Sequence, residues 1–364
     1  MRIAFFGSSL LSAYWNGAAT YYRGLLRALA ARGHRITFYE PDAFDRQKHR
    51  DMDEPDWARV VVYDPTEDAA ARALEEARRA DVVVKASGVG VLDGFLERAV
   101  ADLRGPSTVA IFWDVDAPAT LDRVEREPSD PFRALIPKYD LVLTYGGGDP
   151  VVAAYRALGA AACAPIYNAL DVTTHHPVPP QARFAADLTF IGNRMPDRET
   201  RVERFFLEPA ATLPDRRFLL GGNGWGDKPM PANVRYLGHV YTADHNALNA
   251  SALAVLNVNR DSMARYGFSP PTRVFEAAGA GACLITDAWE GVGLFLEPGR
   301  EVLVAADGAA VADHLERLDG RSARAIGRAA LRRVRAAHTY DHRAVEVEAL
   351  IGGGRVVAPA RMAG

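Results

Sequence analysis

The chain has 364 residues, 24% of them charged and 49% hydrophobic, with a formal net charge of -3 at pH 7. This length suffices for two domains of ordinary size, and the composition is that of a globular protein. Because binding to nucleic acid needs a clustered basic surface, the charge balance predicts no nucleic-acid partner. Cys163 and Cys283 lie in apolar runs in different halves, which favours buried thiols and a reducing, cytoplasmic compartment.

The first strand is predicted at the amino terminus, although residues 1–13 have the single positive charge and apolar run of a weak signal peptide. Gly7, Ser8 and Ser9 interrupt the apolar run, and a helical pattern follows at once. We therefore interpret this segment as a strand and its loop. No run approaches the ~20 apolar residues that span a bilayer, so no transmembrane segment is predicted.

Apolar runs of strand length alternate with helix-length segments through the first half. The predicted strands are 2–6, 36–39, 60–63, 82–85, 108–113 and 141–144, and the predicted helices are 19–32, 69–79, 92–103 and 151–158. Near-continuous apolar strands between helices are typical of a parallel sheet that is covered on both faces. The first half is therefore predicted to be a doubly wound α/β domain.

The same alternation resumes after a Pro-rich segment, 175–180, which predicts a stiff linker. The predicted strands are 187–191, 218–220, 234–237, 253–257, 283–286 and 302–305, and the helices are 244–250, one around Arg273, 309–318, 321–337 and 340–350. We predict an N-terminal domain at 1–170, a second domain at 171–337, a C-terminal helix at 338–351 and a disordered tail at 352–364. Two doubly wound domains would face a cleft, with ligands outside the carboxyl ends of the strands.

The most informative stretch, 269–287, combines a Pro-led turn, a short helix, a small-residue corner and a buried strand that ends in an acid. The helix begins near Ser269 and carries Arg273 and Glu276. A helix N-terminus attracts anions, and a carboxylate on the same helix could hold sugar hydroxyls. This pairing predicts binding of a nucleoside diphosphate.

Polar residues after other strands of the second half are further candidate contacts to such a ligand. Arginines beside helix amides suit a diphosphate, and a glycine after a strand could let a nucleobase lie against backbone. The alternatives are structural: an exposed helix start, a surface histidine, and amides that satisfy sheet ends. The candidates are Asn193, Arg194, Arg198, Gly238, His239, Asn257 and Arg260.

Two acids in alternation, Asp114 and Asp116, end a buried strand of the first half. A carboxylate there could take a proton from an acceptor hydroxyl, as general-base catalysis requires. Period-2 geometry would point both acids to the same side, where one could raise the pKa of the other. The alternative is that Asp116 caps the following turn.

Three glycine or amide positions of the first half complete the candidate site. Asn16 and Gly17 precede the first helix and could present amides to a phosphate or sugar, or could serve as an ordinary cap. Gly147 could bring backbone close to a ligand or form a tight turn.

Glu40 follows the second strand, but the G-x-G-x-x-G pattern is missing, so Glu40 alone does not predict dinucleotide binding.

Metal and phosphate-loop motifs are absent from the sequence. His175 and His176 stand in the Pro-rich segment without the C-x-x-C or H-x-x-x-H spacing of a metal site. There is no G-x-x-x-x-G-K-[ST] loop and no G-x-S-x-G elbow. We therefore expect no metal and no cofactor.

The chain resembles the group-1 glycosyltransferases of the GT-B fold, and within them the spore-maturation CgeB-like branch. The resemblance covers all but the tail and rests on residues 112–118, 189–192, 197–198, 256–260, 269–278, 287–291, 298–301 and 338–339. It implies two Rossmann-like domains facing a cleft, with a C-terminal helix that crosses back onto the first domain.

The resemblance also implies roles for individual residues. Glu276 would hold the donor ribose hydroxyls, and the loop at Gly238 and His239 would line the nucleobase. Arg194 or Arg198, with the amides near Ser269, would neutralise the leaving diphosphate without a metal. Many group-1 enzymes carry a second Glu at the position of Phe268, and its absence leaves the stereochemical outcome open.

The leading hypothesis is a metal-independent glycosyltransferase that moves a sugar from a nucleoside-diphosphate sugar to an unidentified acceptor. The donor would bind the second domain and the acceptor the first. A nucleotide-sugar epimerase or hydrolase is the enzymatic alternative. A third hypothesis is an inactive sugar-nucleotide-binding coat or surface protein, and an NAD-dependent oxidoreductase ranks last because the glycine fingerprint is missing.

Overall fold

The computed structural model describes residues 1–14 and 16–354, which divide into two compact units. Unit 1 comprises Met1–Tyr167 together with the chain from Tyr340 onward, and unit 2 comprises Asn168–Thr339. The Pro-rich segment 175–180 therefore lies inside unit 2 and does not link the two units. Its first residue, His175, is 3% exposed, whereas His176, Pro177, Pro179 and Pro180 are exposed.

Unit 1 is built on seven described parallel strands in the order β3-β2-β1-β4-β5-β6-β7. All five residues of β4 are buried, as expected for a strand with helices on both faces. The strands are β1 (Arg2–Phe6), β2 (Arg35–Pro41), β3 (Ala58–Tyr63), β4 (Val82–Ala86), β5 (Val109–Asp114), β6 (Leu141–Thr144) and β7 (Cys163–Pro165). The helices that precede unit 2 are α1 (Ala19–Ala31), α2 (Glu67–Ala77), α3 (Asp93–Ala101), α4 (Ala117–Arg126), α5 (Pro131–Leu135) and α6 (Gly148–Ala157).

Unit 2 contains six described parallel strands in the order β10-β9-β8-β11-β12-β13. The strands are β8 (Ala186–Ile191), β9 (Phe218–Gly221), β10 (Val234–Gly238), β11 (Ala252–Asn257), β12 (Leu284–Asp287) and β13 (Leu303–Ala305). The helices are α7 (Glu199–Val202), α8 (Glu208–Thr212), α9 (Thr242–Ser251), α10 (Asp261–Tyr266), α11 (Thr272–Gly279), α12 (Val292–Phe295), α13 (Gly308–Arg317) and α14 (Gly320–Ala337), and a π-helical turn, Glu203–Leu207, joins α7 to α8.

The two sheets have the same topology, with the strand order reversing between β1 and β4 and between β8 and β11. This is the doubly wound arrangement, in which ligands bind outside the carboxyl ends of the strands at the reversal point. The predicted α/β class with two doubly wound domains is confirmed. In unit 2 the reversal point lies beside the loops after Ile191 and Asn257.

The C-terminal helix α15 (Tyr340–Gly354) belongs to unit 1, so its predicted return to the first domain is confirmed. Its first residue, Tyr340, packs on α1 with its ring centroid 6.0 Å from that of Tyr21. Further along, the carboxylate of Glu348 pairs with Arg32 at 2.6 Å. The helix continues three residues into the predicted tail, and 355–364 lie outside the described residues, where disorder stays a prediction.

Gly24 makes the close approach of α1 and α15 possible. A Cβ at Gly24 would lie 2.2 Å from the Tyr340 ring. We expect Gly24→Ala to lower the free energy of unfolding by about 1–3 kcal/mol, because the added methyl displaces α15. The matched control is Gly94→Ala on α3, where nothing lies within 4 Å and alanine favours the helix. Denaturant unfolding compares them; equal effects would show that the Tyr340 contact does not matter.

Several short helices were not predicted, among them α4, α5, α8, α10 and α12. The helices α5, α8, α10 and α12 have four to six residues each, too few for a periodic pattern. Helix α4 has ten residues, and its buried positions Ala117, Leu121 and Val124 do follow helical spacing. Both cysteines are buried thiols, as predicted. In the part of the chain that the structure describes, no helix combines the length and the apolar character that a membrane crossing requires.

Candidate functional site

The carboxyl-end loops of unit 2 are tied together by ion pairs at the point where the strand order reverses. Arg260, which follows β11, pairs through Nε with Asp197 Oδ2 at 3.1 Å, and Asp197 lies in the loop after β8. Arg201 on α7 reaches Asp287 Oδ2 at the end of β12 at 2.6 Å. These contacts hold the loops after β8, β11 and β12 as one polar surface. Arg260 was predicted to lie at this edge, but Arg201 and Asp287 were not selected as site residues.

Asp287 is the buried centre of that surface. Its side chain is 0% exposed and accepts hydrogen bonds from the Asn259 amide at 3.2 Å and from Arg201. Burial raises the pKa of Asp287, which the charge of Arg201 partly offsets. The terminal acid of the strand was visible in the sequence, but its partner on α7 was not, since 86 residues separate them.

Glu276 and Arg273 lie on α11 beside the carboxyl end of β8. Arg273 Nη2 donates to the carbonyl oxygen of Ile191 at 3.2 Å, and its Nη1 lies 3.5 Å from Glu276 Oε2. The Glu276 side chain is 12% exposed. Burial alone would raise the pKa of Glu276, but the Arg273 guanidinium is the largest of the influences that outweigh burial and lower this pKa to about 2. Glu276 is therefore an ionised, acceptor-only group at the reversal point of the sheet.

The two histidines beside Glu276 come from distant parts of unit 2. One ring nitrogen of His175, one of His245 on α9 and a carboxylate oxygen of Glu276 all lie within 4.8 Å of one another. Burial and the charge of Arg273 lower the pKa of His245 to about 4, so its ring is neutral near pH 7. The predictions missed both histidines as site residues, because no spacing pattern joins positions 175, 245 and 276.

The predicted diphosphate residues after β8 differ in what they contact. Arg194 pairs with Glu199 at 2.7 Å and with Asp227 at 2.9 Å, and these carboxylates raise its pKa. Asn193 Oδ1 accepts from the Asn223 amide at 2.9 Å and so holds the neighbouring glycine-rich loop. Arg198 lies over Gly192, where a Cβ would come within 2.8 Å of its Nη1.

The remaining predicted residues of unit 2 line the same edge of the sheet. Asn257 is buried and donates to Asn259 Oδ1 at 3.2 Å and to Thr286 Oγ1 at 3.0 Å, which is a structural role. Gly238 has φ +69 and no atom within 4 Å of an added Cβ, so its surroundings are open. His239 is exposed, with its ring 4.6 Å from that of Tyr241.

The loop before α11 has an unusual backbone. Ser269 is buried at 4% exposure, and Phe268 has φ 44, a left-handed conformation that non-glycine residues rarely adopt. The Phe268 amide donates to the Glu290 carbonyl at 2.6 Å, which ties this loop to the chain after β12. Phe268 is thus held in a strained backbone conformation directly before the buried Ser269.

Asp114 in unit 1 is completely buried at the end of β5. Its Oδ1 accepts from Ser87 Oγ at 2.7 Å, from Thr120 Oγ1 at 3.0 Å and from the Asp116 amide at 3.0 Å, while Oδ2 accepts from the Tyr155 hydroxyl. Burial raises the pKa of Asp114, and these donors partly offset it. The side chain has 0% exposure, and its hydrogen bonds tie the end of β5 to Thr120 on α4 and Tyr155 on α6.

Asp116 differs from Asp114 because β5 ends between the two residues. The period-2 rule that predicts both acids on one side holds only within a strand, and Asp116 lies beyond the end of β5. Asp116 occupies the N-cap position of α4, but its side chain makes no capping hydrogen bond there. It is partly exposed, and it is the acid of this pair that a hydroxyl could approach.

The other predicted residues of unit 1 shape its loops. The Asn16 side chain is buried and bonds Ser8 and the carbonyl oxygens of Ser9 and Ser12 at 2.8–3.1 Å. Gly17 is exposed just before α1, and Gly147 precedes α6 at its N-cap position with φ +88. Separately, Glu40 is fully buried and accepts from Ser9, Gln47 and two backbone amides, so it stabilises the loop after β1.

Part of the chain matches a known family model. Residues 198–349 match the family described as glycosyl transferase-like. The match begins just before α7, ends within α15 and includes Arg201, Arg273, Glu276 and Asp287. No curated protein matches the chain in sequence.

Solved structures with a similar fold cover nearly the whole chain. Sucrose-phosphate synthase from Thermosynechococcus elongatus has a TM-score of 0.69 at 14% identity, with 97% of this chain and 98% of that chain covered. HepE from Anabaena, in complex with UDP and glucose, has a TM-score of 0.69 at 13% identity, with 97% of this chain and 100% of that chain covered. An alpha-glucosyltransferase in complex with UDP and a 13-mer DNA has a TM-score of 0.71 at 12% identity, with 97% of this chain and 99% of that chain covered. These similarities establish that the chain has the GT-B fold.

Proposed function

We propose that this protein is a glycosyltransferase that transfers a sugar from a nucleoside-diphosphate sugar bound by unit 2. The observation that carries the proposal is the ionised Glu276, held beside Arg273 on α11 at the reversal point of a doubly wound sheet. The match of residues 198–349 to the glycosyl transferase-like family supports it. Membership of the CgeB-like branch is part of the proposal and rests on the sequence motifs alone.

Glu276 is proposed to accept hydrogen bonds from the two ribose hydroxyls of the donor. An ionised carboxylate offers two acceptor oxygens and no donor, which complements a pair of neighbouring hydroxyls. Gly238 and the exposed His239 would lie along the nucleobase, since the open surroundings of Gly238 leave room for a planar ring. Ser269 and the first amides of α11 would face the diphosphate.

The leaving diphosphate needs positive charge, which we assign to Arg198 and Arg273. Hydrogen-bond donors aimed at a developing negative charge stabilise the transition state most when water is excluded. Arg194 is engaged by Glu199 and Asp227 and Arg273 by Glu276, so a contribution from either arginine would require that its ion pairs rearrange. The proposed transfer step uses these groups and no metal ion.

Asp116 is our candidate for the group that accepts the proton from the acceptor hydroxyl. The buried Asp114 would position it, because the Asp116 amide donates to Asp114 Oδ1 at 3.0 Å. Unit 1 is proposed to bind the acceptor. The net charge of -3 favours an acceptor other than nucleic acid.

Thermal unfolding with a panel of UDP, GDP, dTDP, CDP and NAD tests the proposal. UDP comes first, since two of the similar structures are described as complexes with UDP. A ligand at ~100 times its dissociation constant adds roughly 2.7 kcal/mol of stability, and we expect this for one diphosphate. A response to NAD alone would overturn the proposal.

Turnover then separates the proposed transferase from its alternatives. The sugar donor that corresponds to the stabilising nucleotide is incubated with the protein, with and without candidate acceptors. Consumption that depends on an acceptor supports transfer. Rapid consumption without any acceptor would favour an epimerase or hydrolase, and an intact donor under all conditions would favour a binding protein without chemistry.

A further inference from the structure

The cluster of His175, His245 and Glu276 in unit 2 has the composition of a metal site. Two imidazoles and one carboxylate are the protein ligands found at many catalytic zinc sites. One potential ligand atom from each residue lies within 4.8 Å of the other two. In a tetrahedral site with bonds of about 2.0–2.1 Å, ligand atoms stand about 3.3–3.4 Å apart, so modest side-chain rotations would close the cluster around an ion.

The hydrogen bond of the His245 ring leaves a lone pair for an ion. His245 Nε2 lies 3.3 Å from the carbonyl oxygen of Val240, which can only accept, so Nε2 carries the hydrogen. In the neutral ring Nδ1 then has an unshared lone pair. A histidine that ligates a metal typically donates its other ring N–H to a carbonyl or carboxylate in this way.

Two buried nitrogens at the cluster lack partners. His245 Nδ1 and His175 Nε2 have no hydrogen-bond partner among the described residues. His175 is only 3% exposed, so leaving a nitrogen of its ring without a hydrogen-bond partner costs free energy of folding. With its hydrogen on Nε2, His245 presents a lone pair at Nδ1, as the Glu276 carboxylate does at its oxygens, so neither group donates to the other. A cation between the groups would satisfy both.

We propose that His175, His245 and Glu276 bind a divalent transition-metal ion of the zinc class. Imidazole nitrogen favours zinc, copper, nickel and iron over magnesium or calcium, which prefer oxygen ligands. The ion would join three segments that are distant in sequence: the chain before β8, helix α9 and helix α11. Arg273 beside the carboxylate is expected to weaken the site relative to one whose carboxylate has no cationic neighbour.

The proposed ion is separate from the proposed transfer reaction. Glu276 cannot hold both the ion and the ribose hydroxyls with the same oxygens, so the metal-bound and nucleotide-bound states are expected to exclude each other. Because nucleoside diphosphates themselves chelate metals, binding of the ion is measured without nucleotide. Its result therefore does not depend on whether the glycosyltransferase proposal is correct.

The test uses the full chain without a purification tag, stripped with a chelator and dialysed. Zinc binding is followed by calorimetry, and cobalt binding by its visible absorption, which reports coordination geometry. We expect one equivalent of either ion and no comparable binding of magnesium. Removal of a ligand should weaken binding by about 100-fold or more, beyond the 10–100-fold typical of outer-shell changes.

Three variants remove one ligand each: His175→Asn, His245→Asn and Glu276→Gln. His176→Asn is the matched control, because this exposed neighbour of His175 is not in the cluster. Melting temperatures without metal show which variants are folded. If His175→Asn fails to fold, His245→Asn still tests the proposal, because the partly exposed His245 can be replaced with less effect on folding. Absence of binding to the natural sequence, or binding retained in folded His245→Asn and Glu276→Gln, would overturn the proposal.

Discussion

Replacement of Glu276 with Gln is expected to lower the affinity for the nucleoside diphosphate by about 100-fold, which corresponds to roughly 2.7 kcal/mol. Each hydrogen bond from a ribose hydroxyl to an ionised carboxylate contributes more than one to a neutral amide, and the amide offers only one acceptor oxygen. The pKa of about 2 keeps the native carboxylate ionised at every pH used for such an assay. The affinity is measured by calorimetry in the presence of a chelator.

Glu316→Gln provides the matched control for this experiment. Glu316 lies exposed on α13, so the same chemical change should leave nucleotide affinity within the error of the measurement. Melting temperatures without ligand confirm that both variants are folded. An affinity in Glu276→Gln equal to that of the natural sequence would refute the ribose contact while leaving the metal proposal untouched, because the chelator removes the ion.

Replacement of Asp114 with Ala is expected to lower the free energy of unfolding by about 3–5 kcal/mol. The change leaves the buried hydroxyls of Ser87 and Tyr155 without their acceptor and removes one of the two acceptors of the part-buried Thr120 hydroxyl. Each buried group that loses its partner costs about 1–3 kcal/mol. Denaturant unfolding followed by circular dichroism measures the loss.

Comparing Asp116→Ala with Asp114→Ala tests whether Asp114 contributes to stability while Asp116 acts as the general base. Asp116 is partly exposed, so its replacement should change stability by less than about 1 kcal/mol. Under the proposed function it should instead reduce turnover with little effect on nucleotide affinity, as loss of a general base does. Equal losses of stability in the two variants would contradict this division of roles.

The fold was predictable because its strands are short, nearly continuous apolar runs. Val82–Ala86 and Leu141–Thr144 are buried along their whole length, so their composition alone distinguishes them from the amphipathic helices between them. The short polar helices such as Asp261–Tyr266 gave no comparable signal. With no buried residue, that helix has no apolar face for a periodicity search to detect.

The candidate site was predictable only in part, because its contacts join residues that are distant in sequence. The stretch around Arg273 and Glu276 was evident, since the Pro-led helix start and the acid lie within one short segment. The environment of Asp114 was not, because Tyr155 follows it by 41 positions and Ser87 precedes it by 27. Likewise, the approach of His175 and His245 to Glu276 depends on the fold of the whole of unit 2.

Unit 1 is assembled from two stretches of chain, with all of unit 2 encoded between them. During synthesis the surface of α1 that contacts Tyr340 therefore stays uncovered until residue 340 has left the ribosome. Because domains generally fold as they emerge, unit 2 can complete its sheet while the first-made half of unit 1 still lacks its last helix. The part of the protein that is translated first is thus expected to be the last to reach its native state.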